Sequence, residues 1–256
     1  MKTIAVGNFK GGVGKTTIAA SVGVDLALRH GKKILLVDFD PQCNLTEAFI
    51  NDYEDDNYSN IMDVIKGEKE LQTYPIGETL DLLIGSIYIE QFSNIITNDP
   101  KLKLSPGTIL KRILQKLSGE YDICIIDTRP AIDLTVSNAL IASDYVLIPV
   151  QPTARSLKGL ETTTTLISDI KEDLNPGLVL LGFVLNEYID KNVSSGFINA
   201  QLDEVSNFIF KTKIRKAEAV LFAENRGINI FEQKKNSLIK QDFQDLTDEI
   251  LKMIQL

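Results

Sequence analysis

Short apolar runs alternate along the chain with longer stretches of helical periodicity. The runs are continuous in hydrophobicity, which is typical of strands that are buried on both faces of a sheet. They predict strands at residues 4–6, 34–37, 80–84, 123–126, 145–150 and 178–185. Helices are predicted near residues 18–27, 86–97, 106–117, 134–141, 156–173 and 194–210. Such alternation indicates an α/β fold, a doubly wound and mostly parallel sheet with helices on both faces.

Length and composition fit a single globular domain over residues 1–256. Hydrophobic residues make up 44% of the chain and charged residues 24%, so a sizeable core can be buried. The net charge of −8 argues against a uniformly basic nucleic-acid binder and leaves room only for a local basic patch. Cys43 and Cys124 lack the spacing of a metal site, which suits a reducing cytosol. With no export signal and no membrane-length apolar run, we predict a cytoplasmic protein.

A glycine-rich loop lies between the first predicted strand and the first predicted helix. Residues 7–17 read G-N-F-K-G-G-V-G-K-T-T. Glycines let consecutive backbone N–H groups turn toward one anion, and the helix N-terminus adds its positive end. Lys15 adds a full charge at the β- and γ-phosphates, and Thr16 offers its hydroxyl to Mg²⁺. The predicted cofactors are therefore ATP and Mg²⁺, with the nucleotide held by Gly11, Gly12, Val13, Gly14, Lys15, Thr16 and Thr17.

A second lysine, Lys10, is not needed to form such a loop. The stretch K-G-G-V-G-K-T-T resembles the deviant Walker A motif of the ParA/MinD superfamily of P-loop ATPases. In that family the first lysine reaches the nucleotide of a partner subunit, so the resemblance implies a homodimer that forms on ATP binding. Positive charge supplied in trans accelerates phosphoryl transfer by about 10³- to 10⁵-fold. The resemblance thus implies that Lys10 and Lys15 are catalytic in an ATP hydrolase of weak intrinsic rate.

Three carboxylates follow buried strands, where the ligands of open α/β sheets collect. Residues 37–44, V-D-F-D-P-Q-C-N, resemble the family's V-D-x-D-P-Q-G-N, with Cys43 in place of the usual glycine. That match implies that Asp40 orients or activates the attacking water and that Asp38 lies near Mg²⁺. Asp127 ends another buried strand and fits a Walker B carboxylate for Mg²⁺. Simple capping of a helix or strand end is the alternative for all three.

Further blocks extend the resemblance over nearly the whole chain. They lie at residues 147–152, 184–186, 212–215 and 227–232. Asn186 stands where the family's asparagine meets adenine, and an amide can donate and accept at once, although a loop cap would also use one. Arg129 departs from the family's T-P-P, and its candidate partners are a phosphate, Asp144 or solvent.

The C-terminal part of the chain concentrates positive charge. Between residues 211 and 240, eight basic residues face three acidic ones, a net charge of +5 in a chain of −8. The basic residues are Lys211, Lys213, Arg215, Lys216, Arg226, Lys234, Lys235 and Lys240. Such segregation suits binding to the phosphate backbone of DNA without base readout, while a solvated surface is the alternative.

Together these features predict an ATP-dependent DNA-partitioning ATPase. By resemblance, ATP closes a dimer that binds nonspecific DNA on the nucleoid, and a ParB-like adaptor stimulates the hydrolysis that releases it. Because the strand before the phosphate loop starts near residue 3, we expect no N-terminal helix-turn-helix domain for operator binding.

Two other functions stay open. One is ATP-switched positioning of a protein cargo or of division machinery, as in MinD. A MinD-like membrane contact needs a basic amphipathic C-terminal helix. The tail instead carries Lys240 and Lys252 against Asp242, Asp245, Asp248 and Glu249, so we predict no membrane partner. The other is a small-substrate ATP-dependent ligase of the same fold, for which the sequence indicates no second pocket.

Overall fold

One sheet of seven strands organises the described part of the chain in the computed structural model. The structure describes residues 1–51, 53–54, 57–153, 160–189, 206–224, 226, 228–232 and 237–256. The strands are β1 (Lys2–Val6), β2 (Ile34–Phe39), β3 (Tyr74–Pro75), β4 (Leu80–Leu83), β5 (Ile123–Thr128), β6 (Tyr145–Val150) and β7 (Val179–Leu185). Their order is β3-β4-β2-β5-β1-β6-β7, and the pairs are parallel except for β3 with β4. The predicted doubly wound, mostly parallel sheet is confirmed.

Helices cover both faces of this sheet. They are α1 (Lys15–His30), α2 (Asn44–Glu47), α3 (Ile61–Lys66), α4 (Phe92–Asn98), α5 (Ile109–Gln115), α6 (Leu134–Ala142), α7 (Leu160–Asp173), α8 (Glu218–Glu224) and α9 (Leu238–Ile254). Short 3-10 turns lie at Ile87–Gln91, Leu102–Leu104, Pro106–Thr108, Ser206–Phe208 and Ile230–Glu232. The helix predicted near 194–210 falls mostly outside the described residues, and its described end is one of these turns.

The central strand β2 shows why the apolar runs are continuous. All six of its residues are buried. Leu36 packs in the cluster that contains α1 and α9, whereas Leu35 and Val37 pack in the opposite cluster, under α4 and α5. Gly23 lets α1 approach the sheet closely, since a Cβ atom there would overlap the Leu36 side chain. Burial on both faces removes the polar alternation of a half-exposed strand.

Helix α9 is held against α1 by charge as well as by apolar packing. Arg29 pairs with Asp25 one turn earlier at 2.7 Å and with Asp248 on α9 at 2.8 Å. The Asp25 side chain is only 2% exposed, so its charge depends on this arginine. No helix in the described part of the chain has both the length and the apolar character needed to cross a bilayer.

Candidate nucleotide-binding site

The residues predicted to bind phosphate and Mg²⁺ lie at the carboxyl ends of the three central strands, β1, β2 and β5. The glycine-rich loop leaves β1, and Val6 pairs in register with Asp127 at the end of β5. Asp127 in turn pairs with Asp38 near the end of β2. Parallel strands bring their carboxyl ends to one edge, so side chains about 90 residues apart in sequence become neighbours.

Two amide side chains hold the backbone of the glycine-rich loop. Nε2 of Gln151 donates to the Gly12 carbonyl at 2.9 Å, and Nδ2 of Asn186 donates to the Val13 carbonyl at 2.8 Å. In a trans peptide the N–H points away from the carbonyl, so these bonds direct the N–H groups of Val13 and Gly14 to the opposite side. Gly12 and Gly14 both have positive φ, +71° and +86°. The result is a concave group of N–H donors suited to a phosphate.

The entrance of the loop is fixed by Asn8. Its Oδ1 accepts the backbone N–H of Lys10 at 2.9 Å, and its Nδ2 donates to the Pro149 carbonyl at 2.7 Å. Sequence reasoning did not single out Asn8 or Gln151. Both are polar residues just after a buried strand, and that position was the available signal. The Lys10 side chain itself is partly exposed.

Lys15 and Thr16 begin α1 and face the carboxylates. Lys15 is only 7% exposed. Burial lowers its pKa, and the nearby charges of Asp127 and Asp40 act in the opposite direction. The hydroxyl of Thr16 donates to Oδ2 of Asp127 at 2.6 Å. The helix start thus offers a cation and a hydroxyl beside the predicted phosphate position.

Asp127 has the properties of a carboxylate that is suited to binding a cation. It is fully buried, and its Oδ1 has no hydrogen-bond partner among the described residues. Burial, followed by the charge of Asp38, raises its pKa to about 8. Buried unpaired carboxylate oxygens are costly, and a bound Mg²⁺ with its waters relieves that cost. The described residues contain no group of three or more His, Cys, Asp or Glu side chains that could hold a metal ion.

Asp38 is arranged differently from Asp127. Its Oδ2 accepts the backbone N–H of Thr46 at 2.8 Å and the Thr46 hydroxyl at 2.7 Å. Its Oδ1 accepts the N–H of Asp40 at 3.3 Å. Burial raises the pKa of Asp38 to about 6 against the opposing effect of the Thr46 hydrogen bonds. Gly85 completes the cluster because a Cβ atom there would overlap Asp38, and its N–H donates to Thr46. Thr46 and Gly85 were missed from sequence.

Asp40 lies in a tight turn that Cys43 closes. Asp40 is 6% exposed and accepts the N–H of Gln42 at 3.0 Å. Cys43 donates its N–H to the Asp40 carbonyl at 3.0 Å and has a left-handed φ of 54°. The turn therefore keeps the backbone shape that favours the glycine of the resembled motif, with a side chain that tolerates it less well.

Arg129 is held by two acidic side chains, and neither of them is Asp144. Its guanidinium pairs with Glu90 at 3.0 Å and with Asp133 at 3.4 Å. Asp144 instead accepts the backbone N–H of Thr3 at 2.8 Å. Arg129 thus connects the segment after β5 to the 3-10 turn after β4.

The basic residues of the C-terminal part differ in their surroundings. Arg215 makes a two-pronged ion pair with Asp242 of α9, at 2.6 and 2.7 Å. Lys216 pairs with Glu187 at 3.1 Å. Lys240 is buried and donates to a backbone carbonyl, so it is not presented to a ligand.

Lys211, Lys213 and Arg226 are exposed to solvent. Lys213 lies over the ring of Tyr188 at 4.4 Å. Arg226 stacks on Phe222 at 4.3 Å. Lys234 and Lys235 fall outside the described residues.

Cavities of about 380 and 780 Å³ lie against α9, and none of their lining residues belongs to the glycine-rich loop.

Comparison with known proteins gives consistent similarities. A family model described as an AAA domain matches residues 1–180. The virulence plasmid ParA family protein pGP5-D of Chlamydia psittaci is 32% identical over 257 residues, which are 98% of this chain and 94% of that protein.

Solved structures share the fold over the full length. Cobyrinic acid a,c-diamide synthase from Mycobacterium smegmatis, with bound ATP analogue and magnesium, gives a TM-score of 0.82 at 26% identity, covering 100% of this chain and 96% of that one. A putative plasmid partition protein from Borrelia burgdorferi, bound to AMPPNP, gives 0.80 at 22% identity with 98% of each chain covered. At that identity the second likeness concerns the fold alone.

Proposed function

The chain belongs to the ParA family of P-loop ATPases, and from that membership we propose that it is a DNA-partitioning ATPase. The observation that supports the proposal best is the grouping of Lys15 with Asp40 and Asp127, where the Thr16 hydroxyl donates to Asp127, beside a loop that also carries Lys10. A loop that only packs a helix on a strand requires neither the two lysines nor the carboxylates.

Each site residue has its own proposed role in ATP hydrolysis. The N–H groups of residues 11–17 hold the phosphates, and the Lys15 ammonium neutralises charge that develops on them. Asp40 orients the attacking water, and Lys10 adds positive charge at the nucleotide of a partner subunit. Thr16 and Asp127 would hold Mg²⁺, which when bound neutralises phosphate charge. Asn186 also contacts the adenine, and Asp38, which would lie near Mg²⁺, holds Asp40 by accepting its backbone N–H.

Positive charge outside the site gives the proposed DNA contact. We assign it to Lys211, Lys213, Lys216 and Arg226, together with Lys234 and Lys235. Arg215 serves mainly to hold α9 through Asp242, and the buried Lys240 is left out. A homodimer closed by ATP would present two such surfaces, and binding to DNA backbone would then weaken steeply with salt.

The cellular role follows from the same cycle. We propose that slow intrinsic hydrolysis is stimulated by a ParB-like adaptor on the cargo, which releases the protein from nucleoid DNA in the cytoplasm. The acidic residues on α9, Asp242, Asp245, Asp248 and Glu249, argue against a MinD-like contact with anionic lipid.

A ligase of a small substrate is the second candidate. Its support is the 26% identity to cobyrinic acid a,c-diamide synthase over the whole chain. Such an enzyme would consume ATP only when its substrate is present, whereas a partitioning ATPase turns over slowly alone and responds to DNA and to its adaptor.

The test is binding to a nonspecific DNA duplex at low salt with ATP, with ADP and without nucleotide. We expect binding with ATP only, and loss of binding in Lys10→Ala and in the double change Lys211→Ala/Lys213→Ala. The matched control is Lys101→Ala/Lys103→Ala, two exposed lysines of the same spacing elsewhere on the surface. If the wild type binds ATP but ignores DNA in every nucleotide state, the partitioning function is rejected. Absence of ATP turnover without an added small substrate would then favour the ligase candidate.

A further inference from the structure

A continuous chain of polar contacts runs from the glycine-rich loop to Lys216 in the basic segment, by which we mean residues 211–240. The Gln151 Nε2 that donates to the Gly12 carbonyl also donates to Oε1 of Glu187 at 3.1 Å. The other carboxylate oxygen of Glu187 accepts from the Lys216 ammonium at 3.1 Å. Both partners of Nε2 are oxygen acceptors, so the amide nitrogen and not the amide oxygen must point at them.

The backbone next to Glu187 makes a second connection between the same two places. Asn186 anchors the Val13 carbonyl in the loop. Two residues later, Tyr188 donates its N–H to Ile214 at 2.9 Å and accepts the N–H of Lys216 at 3.0 Å. Three consecutive residues therefore contact the loop at one end and the basic segment at the other.

Glu187 has a backbone conformation that is uncommon for a non-glycine residue. Its φ is +54°, in the left-handed region that non-glycine residues seldom occupy. Such strain persists where surrounding contacts determine the conformation. Glu187 and Lys216 are 38% and 56% exposed, so their ion pair contributes little to stability. Backbone hydrogen bonds of Asn186 and Tyr188 hold the residue on both sides.

We propose that Gln151 and Glu187 are positioning residues that couple the phosphate loop to the basic segment through Lys216. When phosphate oxygens accept from the N–H groups of Val13 and Gly14, the polarised peptides change the bond from Gln151 to Gly12. Glu187 transmits this change to Lys216. The proposal rests on the proposed DNA-binding function, because it identifies how nucleotide occupancy reaches that surface. Coupling of this kind is reciprocal, so DNA that engages Lys216 alters nucleotide affinity by the same factor.

The experiment measures the accessibility of Lys216 and does not depend on DNA. The wild type is labelled with an amine-reactive reagent with and without saturating ADP·Mg, which fills the loop without ATP-driven dimerisation. Labelling of Lys216 is quantified by mass spectrometry relative to the exposed Lys101. We expect the rate at Lys216 to change by about fivefold, the lower end of typical coupling between sites.

Two variants separate coupling from a merely structural role. In Glu187→Gln the new side chain can still accept from Gln151 but cannot neutralise Lys216, and in Gln151→Ala the contact to Gly12 is lost. With ADP occupancy verified by calorimetry, we expect the Lys216 response to disappear in both. An unchanged rate in the wild type, or a response that survives in both variants, overturns the coupling. Failure of DNA binding with an intact Lys216 response rejects the partitioning function and leaves the coupling in place.

Discussion

The amide of Asn186 occupies the space that a side chain at Gly14 would need. A Cβ atom built on Gly14 would overlap Nδ2 of Asn186, the atom that anchors the Val13 carbonyl. Gly14 also has a φ of +86°. Both the backbone shape and the packing of the loop therefore require glycine at this position.

Replacing Gly14 with alanine should weaken nucleotide binding. The change displaces Asn186, releases the Val13 carbonyl and turns the N–H of Gly14 away from the phosphate. We expect ADP affinity to fall at least about tenfold, a loss of about 1.4 kcal/mol, as measured by calorimetry.

The control is Gly31→Ala at the C-terminus of α1. Gly31 has a φ of +60° and nothing within 4 Å of its Cβ position. It should lose about 1 kcal/mol of stability from the left-handed conformation alone and keep its nucleotide affinity. An equal loss of ADP affinity in the two variants would mean that general destabilisation by a left-handed alanine, and not loss of the Asn186 contact, weakens nucleotide binding.

The buried carboxyl of Asp127 should make metal binding depend on pH. Its pKa is raised to about 8, so the group is mostly protonated at pH 6 and mostly ionised at pH 8.5. A proton and Mg²⁺ compete for the same oxygens, and the Mg²⁺-dependent part of ADP affinity should therefore rise with pH across this window. The rise is at most about tenfold per pH unit for one proton.

Calorimetric titration of ADP with and without Mg²⁺ at several pH values measures this effect. Asp127→Asn should remove both the Mg²⁺ enhancement and its pH dependence, while binding of ADP without Mg²⁺ persists. A flat pH profile in the wild type would contradict a role for Asp127 as the metal carboxylate.

Loss of Asp40 should separate hydrolysis from binding. Asp40→Ala removes the group proposed to orient water but leaves the loop and Thr16 in place. We expect ATP affinity to stay within a few-fold and turnover to fall by about 10²- to 10⁴-fold, the usual contribution of a positioned acid or base.

Single-turnover hydrolysis beside ATP-binding measurements tests this change. Glu47→Gln is the matched control because Glu47 is an exposed carboxylate seven residues later in the same segment. Wild-type turnover in Asp40→Ala would assign water activation to another residue.

Arg29 should contribute more to the free energy of unfolding than its ion pair with the exposed Asp248 alone would. Arg29→Ala leaves the buried Asp25 carboxylate without its counter-charge and removes the ion pair between α1 and Asp248 of α9 that Arg29 makes. We expect a loss of about 3 kcal/mol in the free energy of unfolding, the lower end for breaking a buried pair. Asp248→Asn removes only the 40% exposed partner and should cost below about 1 kcal/mol. Urea unfolding measures both, and similar losses would contradict a special role for Asp25.

Local sequence was sufficient for the six parallel strands and for the position of the glycine-rich loop, but it did not predict the short β3 or the helices α3 and α9. Strands such as β2 and β5 are continuous apolar runs, because burial on both faces leaves no polar alternation, and Asp38 and Asp127 mark their ends. The order of glycines, Lys15 and Thr16 depends only on neighbours in the chain. These features could be derived before any contact was known, since each is a property of a short segment.

Other features depended on which distant segments the fold brings together. Gln151 and Asn186 lie about 140 and 170 residues beyond the loop carbonyls that they anchor, and nothing local in the chain specifies those partners. From the sequence alone, only the total charge of the basic segment could be derived. The fold paired Arg215 with Asp242, because residues 210–215 hydrogen-bond to β7 on one side and to α9 on the other. Lys240 is buried within α9 itself. The sequence determined which residues could bind a phosphate, and the packing of distant strands and helices decided which of them are held in place to do so.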